Sequence, residues 1–257
     1  MLRRLGRRSI RVLESLGSFA LFLKDTLRFT VRRPLRPRLF LEQMEHIGVR
    51  SVPIITLSSL AIGMIFSLQI VEMLGIFRAE VLAGSAVAWT LSRELAPVIT
   101  TLMLIGKNGS AMAAEIGSMQ VTEQIDAMET MSVSPVQYLV VPRVWASVVM
   151  FPALTALANV VGVSGAYAVA VWGLEVDTAA YLNTMFRDVN PKDIFSGLFK
   201  AGVMGFIVAT ICTFYGYNAR NGAKGVGESS TNAVVTASVS ILVADYVLAS
   251  IMLALIY

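Results

Sequence analysis

Three long apolar runs without a charged residue constrain the fold of this chain more than any other feature. They cover residues 52–71, 144–174 and 201–219, and each approaches or exceeds the ~20 residues that a helix needs to cross a bilayer. Two further apolar runs, interrupted by charge, cover residues 81–105 and 229–257. The composition agrees, because 56% of the residues are apolar and only 15% are charged. We therefore predict an all-α polytopic membrane protein in which residues 51–257 form five transmembrane helices.

Residues 1–50 differ from the rest of the chain in charge, because they hold 12 of the 21 Lys and Arg residues. Apolar residues recur there at helical spacing, and they are Val12, Leu16, Phe19, Ala20, Leu23 and Leu27. The pattern is typical of an amphipathic helix in the headgroup plane, held on anionic lipid by its basic flanks. The alternative is a first transmembrane helix, against which Lys24, Asp25 and Arg28 argue. The segment also lacks the compact apolar region and cleavage site of a signal peptide.

The distribution of basic residues predicts the orientation in the membrane. With a cytoplasmic N-terminus, the inside segments 1–50, 107–143 and 220–228 carry 16 Lys and Arg residues, against 3 in the outside segments. This arrangement places the loop 175–193 and the C-terminus outside.

Two adjacent charged residues, Arg93 and Glu94, lie near the middle of the second predicted span. A charged side chain at bilayer depth costs at least ~2.5 kcal/mol on insertion scales, so such a pair indicates a function. Neighbouring helical residues point roughly 100° apart, so the two cannot form a facing pair. We expect one to line a cavity and contact a lipid headgroup while the other binds a neighbouring helix. Purely structural roles for both are the alternative.

Two more charges lie in the later spans. We expect Lys200 to snorkel at the outer end of the fourth span, with its apolar stem in lipid. Asp245 lies about halfway along the fifth span and should face protein, where it would pair with Arg93 or cap a polar network.

An acidic amphipathic stretch over about 118–132 separates the second and third spans. On a helix, Val121, Ile125 and Met128 form one stripe, and Glu123, Asp126 and Glu129 form another. This pattern predicts a cytoplasmic helix that docks into a groove on a partner, with its acids on a basic rim. The alternative is a loop helix that packs on its own subunit.

The chain offers no catalytic constellation. Gly106-Lys107-Asn108 lacks the upstream glycine and the Ser or Thr of a phosphate-binding loop. The single histidine, His46, has no partners in a metal-ligand pattern, and a serine nucleophile has no G-x-S-x-G turn. We therefore predict no catalytic residue, no bound metal and no cofactor, and a transporter of this kind must use an ion gradient or the ATPase of a partner.

Four motifs give the chain a resemblance to a known family. They are the segments 91–98 (LSRELAPV), 109–111 (GSA), 114–117 (AEIG) and 122–128 (TEQIDAM). In order and spacing they resemble the MlaE/YrbE permeases, and Pro142-Arg143 and Asp245-Tyr246 fit as well. One departure is Lys107, where the family pattern has arginine; lysine keeps the charge but loses the planar fork.

The resemblance implies a permease subunit of an ABC-type lipid transporter in the bacterial inner membrane. It implies a homodimer, two cytoplasmic ATPase subunits that bind the ATP, and a periplasmic ring of MCE-domain proteins, with no nucleic acid. A small cytoplasmic STAS-domain subunit belongs to the implied partner set. The cargo would be phospholipid moving between the inner and outer membranes.

Two groups of residues are assigned on this basis. The predicted ATPase-coupling residues are Glu115, Thr122, Glu123, Gln124, Ile125, Asp126 and Met128. The predicted lipid-path residues are Phe66, Ile70, Met73, Leu74, Phe77, Arg93, Glu94 and Leu95, of which the first five form an apolar stripe on the first span; ordinary helix packing or bilayer contact is the alternative for that stripe. Two other functions stay open: a gradient-driven transporter with Glu94, Asp245 and Lys200 as a proton relay, and a membrane scaffold that only anchors partners.

Overall fold

The structure is a computed structural model that describes the backbone of residues 2–31 and 37–256 and the side chains of residues 14, 16–30 and 37–254. Every regular element in these residues is helical, which confirms the all-α part of the predicted fold class. The α-helices are α1 (Leu2–Val31), α2 (Pro37–Ile47), α3 (Val52–Gly75), α4 (Ala83–Thr90), α5 (Ala96–Leu104), α6 (Ser110–Val121), α7 (Gln124–Thr130), α8 (Val141–Tyr167), α9 (Thr178–Asp188), α10 (Pro191–Tyr217) and α11 (Gly222–Ile256). Four π turns join or extend them, at Leu91–Leu95, Ile105–Gly109, Val136–Val140 and Ala168–Gly173.

Four helical stretches in the described residues are long and apolar enough to cross a membrane. They are Pro37–Gly75, Val136–Gly173, Pro191–Tyr217 and Gly222–Ala254, and they overlap four of the five predicted spans. The remaining predicted span, 81–105, is helical from residue 83 onward but carries Arg93 and Glu94 at its centre and is not among the four. The count of five therefore stays a prediction.

Helix α1 has two different apolar faces. Phe22 is buried, and its ring packs edge-on against Phe214 of α10, with 5.5 Å between the ring centroids. Leu16 and Leu27, which belong to the predicted amphipathic stripe, are mostly exposed. An exposed apolar face is what an interfacial helix needs to contact lipid, but the location of α1 in the headgroup plane stays a prediction. The side chain of Val12 lies outside the described residues.

The transmembrane core is built on close helix contacts at glycines. A Cβ on Gly63 of α3 would lie 2.0 Å from the carbonyl oxygen of Gly162 of α8, so a side chain does not fit at this crossing. Helix α10 approaches α8 in the same way, because a Cβ on Gly205 would lie 2.8 Å from the carbonyl oxygen of Ser147. Small residues bring backbones together, which is how helices gain packing energy where lipid offers no hydrophobic driving force.

Three segments that the orientation prediction assigns to one side of the membrane meet at one end of the molecule. The indole N–H of Trp145, at the start of α8, donates to the Thr30 hydroxyl of α1 at 2.9 Å. The Tyr217 hydroxyl, at the end of α10, donates to a carboxylate oxygen of Glu129 in α7 at 3.1 Å. The N-terminal segment, the region between the second and third predicted spans, and the turn after α10 therefore share one end.

Residues 83–121 form a continuous helical rod, which contains α4, the first π turn (Leu91–Leu95), α5, the second π turn (Ile105–Gly109) and α6. The rod stops where Glu123 adopts a left-handed φ of 59°, and α7 begins at the next residue. A non-glycine residue in this region interrupts helical hydrogen bonding. The single helix predicted over about 118–132 is therefore wrong, and Val121 does not share a continuous stripe with Ile125 and Met128.

Candidate functional site

The first π turn owes its shape to Pro97, which follows it in α5. Proline has no backbone N–H, and in an α-helix its ring clashes with the carbonyl four residues earlier. The helix widens there, and the Ala96 N–H bonds the carbonyl of Leu91, five residues back. The carbonyl of Arg93, which Pro97 cannot bond, accepts a hydrogen bond from Lys200 Nζ at 3.2 Å. Such π turns inside α-helices often mark functional sites.

Lys200 lies at the centre of an ion cluster, which we define as Arg93, Glu94, Asp193, Lys200 and Asp245. Its Nζ lies 2.5 Å from Glu94 Oε2 and 3.3 Å from Asp245 Oδ1. Lys200 is only 1% exposed, so its ammonium group is buried within the protein. The predicted snorkelling of Lys200 is therefore wrong. Two carboxylates and a carbonyl supply the polar contacts that the headgroup region would otherwise provide.

Arg93 and Glu94 contact different partners, which confirms that they do not form a facing pair. Glu94 binds Lys200, whereas Arg93 Nη1 lies 3.8 Å from Asp193 Oδ1. The guanidinium carbon of Arg93 also lies 4.5 Å from the centre of the Trp89 ring, in a cation–π contact. Both residues thus connect the second predicted span to α10.

Asp245 faces protein and joins a polar network, as the sequence predicts. Its ion-pair partner is Lys200, however, and the suggested pair with Arg93 is wrong. Arg93 is drawn instead to Asp193, which lies in the first turn of α10. The cluster therefore joins three elements: the first π turn, α10 and α11.

The ion cluster combines three carboxylates with two cations, so its formal charge is −1 when every member is ionised. Glu94 is its most open member, with 40% of its side chain exposed, against 19% for Asp245 and 2% for Lys200. A carboxylate exposed at membrane depth must face a cavity or a partner, because hydrocarbon cannot solvate it. Among the members of the ion cluster, Glu94 thus offers the most accessible charge.

The predicted apolar stripe on α3 does not form one surface. Four of the predicted path residues pack against buried residues of this chain, and they are Phe66, Ile70, Leu74 and Leu95. Met73 and Phe77 are exposed, at 51% and 75%. Helix α3 ends at Gly75, so Phe77 lies in the turn after the helix and not on a further helical turn. The assumption of one helical face is therefore wrong for Phe77.

The apolar side of α7 packs on its own subunit. Ile125 is 1% exposed and packs with Ile116 and Leu139, and Met128 is partly buried against the same group. This contact matches the packing alternative for the apolar stripe. The polar residues of this region remain exposed, and they are Thr122, Glu123, Gln124, Asp126 and Glu129.

Arg143 connects the end of the rod to the start of α8. Its Nη2 lies 2.9 Å from Glu115 Oε2, and its Nη1 donates to the carbonyl of Leu139 at 2.7 Å. Arg143 is buried, whereas 58% of the Glu115 side chain is exposed. Residues 115–130, which we call the coupling segment, are thus held at Glu115 by an ion pair and at Ile125 by apolar packing.

A second polar group, the polar clamp, consists of Ser51, Lys107 and Asn108 and holds the second π turn against the start of α3. Lys107 Nζ donates to Ser51 Oγ at 3.0 Å and to the carbonyl of Arg50. Asn108 Nδ2 donates to Ser51 Oγ and to the carbonyl of Ile47, both at 3.1 Å. Partial burial, and to a lesser degree the nearby Arg50 charge, lower the pKa of Lys107 from its ordinary value.

Sequence reasoning missed Asp193 and Asn108 as members of these polar groups. Asp193 follows an Asn190-Pro191 pair, and this pattern marks the beginning of a helix. Its side chain accepts from the Asn190 N–H at 3.0 Å, as a capping box requires. The signal could locate the start of α10, but it could not identify Arg93 as the ion-pair partner.

Helices of membrane-spanning length, ion pairs between them and an exposed polar segment are typical of an integral membrane protein. The sequence model of the family described as Permease MlaE matches residues 40–251. The chain belongs to this family of ABC transporter permeases, which confirms the resemblance in its motifs.

Three relatives illustrate the range of the family. The "Probable ABC transporter permease protein" of Rickettsia felis is 40% identical over 243 residues, which cover 95% of this chain and 94% of its own. The "Intermembrane phospholipid transport system permease protein MlaE" of Haemophilus influenzae is 36% identical over 249 residues, 96% of this chain and 95% of its own. The chloroplastic protein TRIGALACTOSYLDIACYLGLYCEROL 1 of Arabidopsis thaliana is 40% identical over 215 residues, 82% of this chain and 60% of its own.

Proposed function

We propose that this chain is the membrane subunit of an ABC-type phospholipid transporter of the bacterial inner membrane. It acts as a homodimer, driven by two cytoplasmic ATPase subunits, and it exchanges phospholipid with a periplasmic conduit of MCE-domain proteins that leads to the outer membrane. ATP is bound and hydrolysed by the partner, and the chain itself needs no cofactor. A small STAS-domain subunit completes the proposed assembly on the cytoplasmic side.

The observation that carries this proposal is the continuous rod of residues 83–121. Glu94 of the ion cluster and Glu115 of the coupling segment lie on this rod, 21 positions apart. At 1.5 Å per helical residue this separation is about 30 Å. A movement at the membrane surface can therefore reach the charged site through one element.

The exposed side of the coupling segment supplies the proposed ATPase contact. Its polar surface is acidic. Glu123 is exposed at the left-handed break itself, and Asp126 is exposed on the helix that follows it. Acidic residues suit a partner groove with a basic rim. Ile125 and Met128 contribute to this contact indirectly, because their packing with Ile116 fixes the direction in which the acidic surface faces.

The proposed lipid path begins from the exposed members of the predicted set. Glu94 offers a carboxylate to the headgroup region of the cargo, and Met73 and Phe77 offer adaptable apolar surface to its chains. The packed members, with Phe66 and Ile70 as examples, support this surface from behind. Homodimerisation is proposed because the exposed groups of one chain line only one side of the proposed lipid path.

The proposed orientation has the N-terminus in the cytoplasm and the C-terminus in the periplasm. It follows the excess of basic residues in segments 1–50, 107–143 and 220–228. Trp145 and Tyr217, which lie two and three positions from the second and third of these segments, bond Thr30 and Glu129, and these contacts support a common side for all three. The exposed apolar face of α1, with Leu16 and Leu27, supports its placement in the headgroup plane.

The decisive experiment reconstitutes the permease with its ATPase in vesicles and measures ATP-driven transfer of a fluorescent phospholipid. The double substitution Glu123→Lys and Asp126→Lys should abolish ATPase binding and lipid transfer while membrane insertion and protein yield are kept, because it reverses the charge of the proposed contact. Full transfer by this variant would show that the coupling assignment is wrong.

A matched control lies on α2. Glu42 and Glu45 are also exposed and three positions apart, and they pair with Arg38 and Arg50. Their double substitution by lysine changes the net charge by the same amount and should leave lipid transfer near the wild-type level.

A gradient-driven transporter is the second candidate, because Lys200 lies between two carboxylates of the kind that a proton relay uses. The same vesicles distinguish the two functions. Lipid transfer that follows an imposed pH gradient and does not need ATP would favour the relay, whereas transfer that requires ATP at equal pH on both sides favours the ABC mechanism.

A further inference from the structure

The two π turns that flank α5 have different causes. The first turn is followed by Pro97, which removes a backbone donor and keeps the turn wide in any state of the protein. The second turn contains no proline, and its sequence is Ile-Gly-Lys-Asn-Gly. Its Ser110 N–H bonds the carbonyl of Ile105, and the Ser110 hydroxyl bonds the carbonyl of Gly106 at 2.5 Å. No proline ring fixes the second turn in the π form.

The two glycines of the second π turn also differ from each other. A Cβ on Gly109 would lie 2.9 Å from the sulfur of Cys212, so close packing requires glycine there. A Cβ on Gly106 would meet no atom within 4 Å, and the residue is exposed. Alanine would therefore fit at position 106, and it would favour a regular helix. The space around Gly106 would admit a side chain. What glycine brings to this position is therefore the freedom of its backbone.

Gly106 lies between the polar clamp and helix α5. On one side the polar clamp holds Lys107 and Asn108 to Ser51. On the other side α5 leads through nine residues to the first π turn and the ion cluster. A change of backbone angle at Gly106 would thus tilt α5 against the clamped base and move Glu94 at the far end.

We propose that Gly106 is the hinge of the transport cycle, about which α5 tilts to change the exposure of Glu94. This inference rests on the proposed function, because a tilt of α5 serves transport only if the ATPase of a partner drives the chain. Gly106 acts through α5 on residues that meet the cargo, so it is a positioning residue. The π form of the second turn allows this tilt, since a wide turn without proline can tighten toward an α turn and reopen.

The test compares Gly106→Ala with Gly227→Ala in the reconstituted complex. Gly227 of α11 is a matched control: it is exposed and helical, a Cβ would meet nothing within 4 Å, and its carbonyl accepts the hydroxyl of Thr231 four residues on. Both variants should raise the midpoint of thermal unfolding, because alanine favours the helix in each case. Only Gly106→Ala should lower ATP-driven lipid transfer, by about fivefold, while ATPase binding is unchanged.

A graded variant keeps the proposal testable if alanine reduces the yield of protein. Serine has an intermediate helix propensity and also fits at position 106, so Gly106→Ser should give a rate between those of wild type and Gly106→Ala. Equal transfer rates for the variants at 106 and 227 would overturn the hinge. Absence of ATP-driven transfer by the wild-type complex would instead contradict the proposed function itself.

Discussion

Lys200, which binds the first π turn, and Lys107, which lies in the second π turn, are held in opposite ways. Lys200 of the ion cluster is buried and lies between the carboxylates of Glu94 and Asp245. Lys107 of the polar clamp is partly exposed and donates to a hydroxyl and a backbone carbonyl. The first arrangement binds the rod at the π turn before α5, and the second lies in the π turn after α5.

The difference teaches that burial selects the partners of a cation. Where the side chain is partly exposed, water is close enough that neutral oxygen atoms can complete the solvation of an ammonium group. In the apolar interior the same group needs opposite charge, because its desolvation costs several kcal/mol. Loss of a lysine should therefore have very different consequences at the two sites.

The largest expected effect is that of Lys200→Met. Methionine keeps the length of the side chain but leaves the carboxylates of Glu94 and Asp245 without their cation, and breaking a buried pair in this way costs about 3–5 kcal/mol. We expect a large drop in the thermal unfolding midpoint of the detergent-purified protein and loss of lipid transfer. Combining Lys200→Met with Glu94→Gln and Asp245→Asn should restore much of the stability. If the triple variant is as unstable as the single one, the cost does not arise from unpaired charge.

The sequence predicts the helices well because their apolar runs are set by bilayer thickness, which is a local property of composition. The run 144–174 coincides closely with α8 and the π turn that follows it, whereas α10 begins at Pro191, ten residues before the run 201–219. The break at Glu123 was not predictable in the same way, because the left-handed conformation of a glutamate has no strong local signal.

The candidate site was only partly predictable from the sequence. The position of Arg93 and Glu94 in an apolar run indicated a buried charged site, and their adjacency indicated that they bind different partners. Their actual partners depend on how α10 and α11 pack, with Lys200 more than 100 positions away along the chain. The same holds for the apolar stripe, since helical spacing predicts a common face but not whether that face meets lipid or α8.

An intermediate effect is expected at Glu94, whose two substitutions separate charge from shape. Glu94→Gln removes the excess negative charge of the ion cluster and leaves Asp245 to pair with Lys200, so the unfolding midpoint should change little. Glu94→Arg adds a third cation beside Arg93 and Lys200, and like charges in a low-dielectric site repel strongly. We expect lipid transfer to fall moderately in the first variant and to be lost in the second. Equal losses of yield and transfer in both would indicate a structural role for Glu94.

The smallest effect should be that of Lys107→Met, which tests the partly exposed member of the two lysines. The substitution removes two hydrogen bonds, but Asn108 still donates to Ser51 and to the carbonyl of Ile47, and water can reach the freed oxygens. The net loss should be about 1 kcal/mol, which corresponds to roughly 3 °C in the unfolding midpoint of a chain of this size. Lys224→Met is the control, because Lys224 is highly exposed and pairs only with Glu228 at 3.9 Å, so its loss should be smaller still. If the midpoint falls as far for Lys107→Met as for Lys200→Met, neutral oxygen atoms do not suffice as partners of Lys107, and burial is not what separates the two lysines.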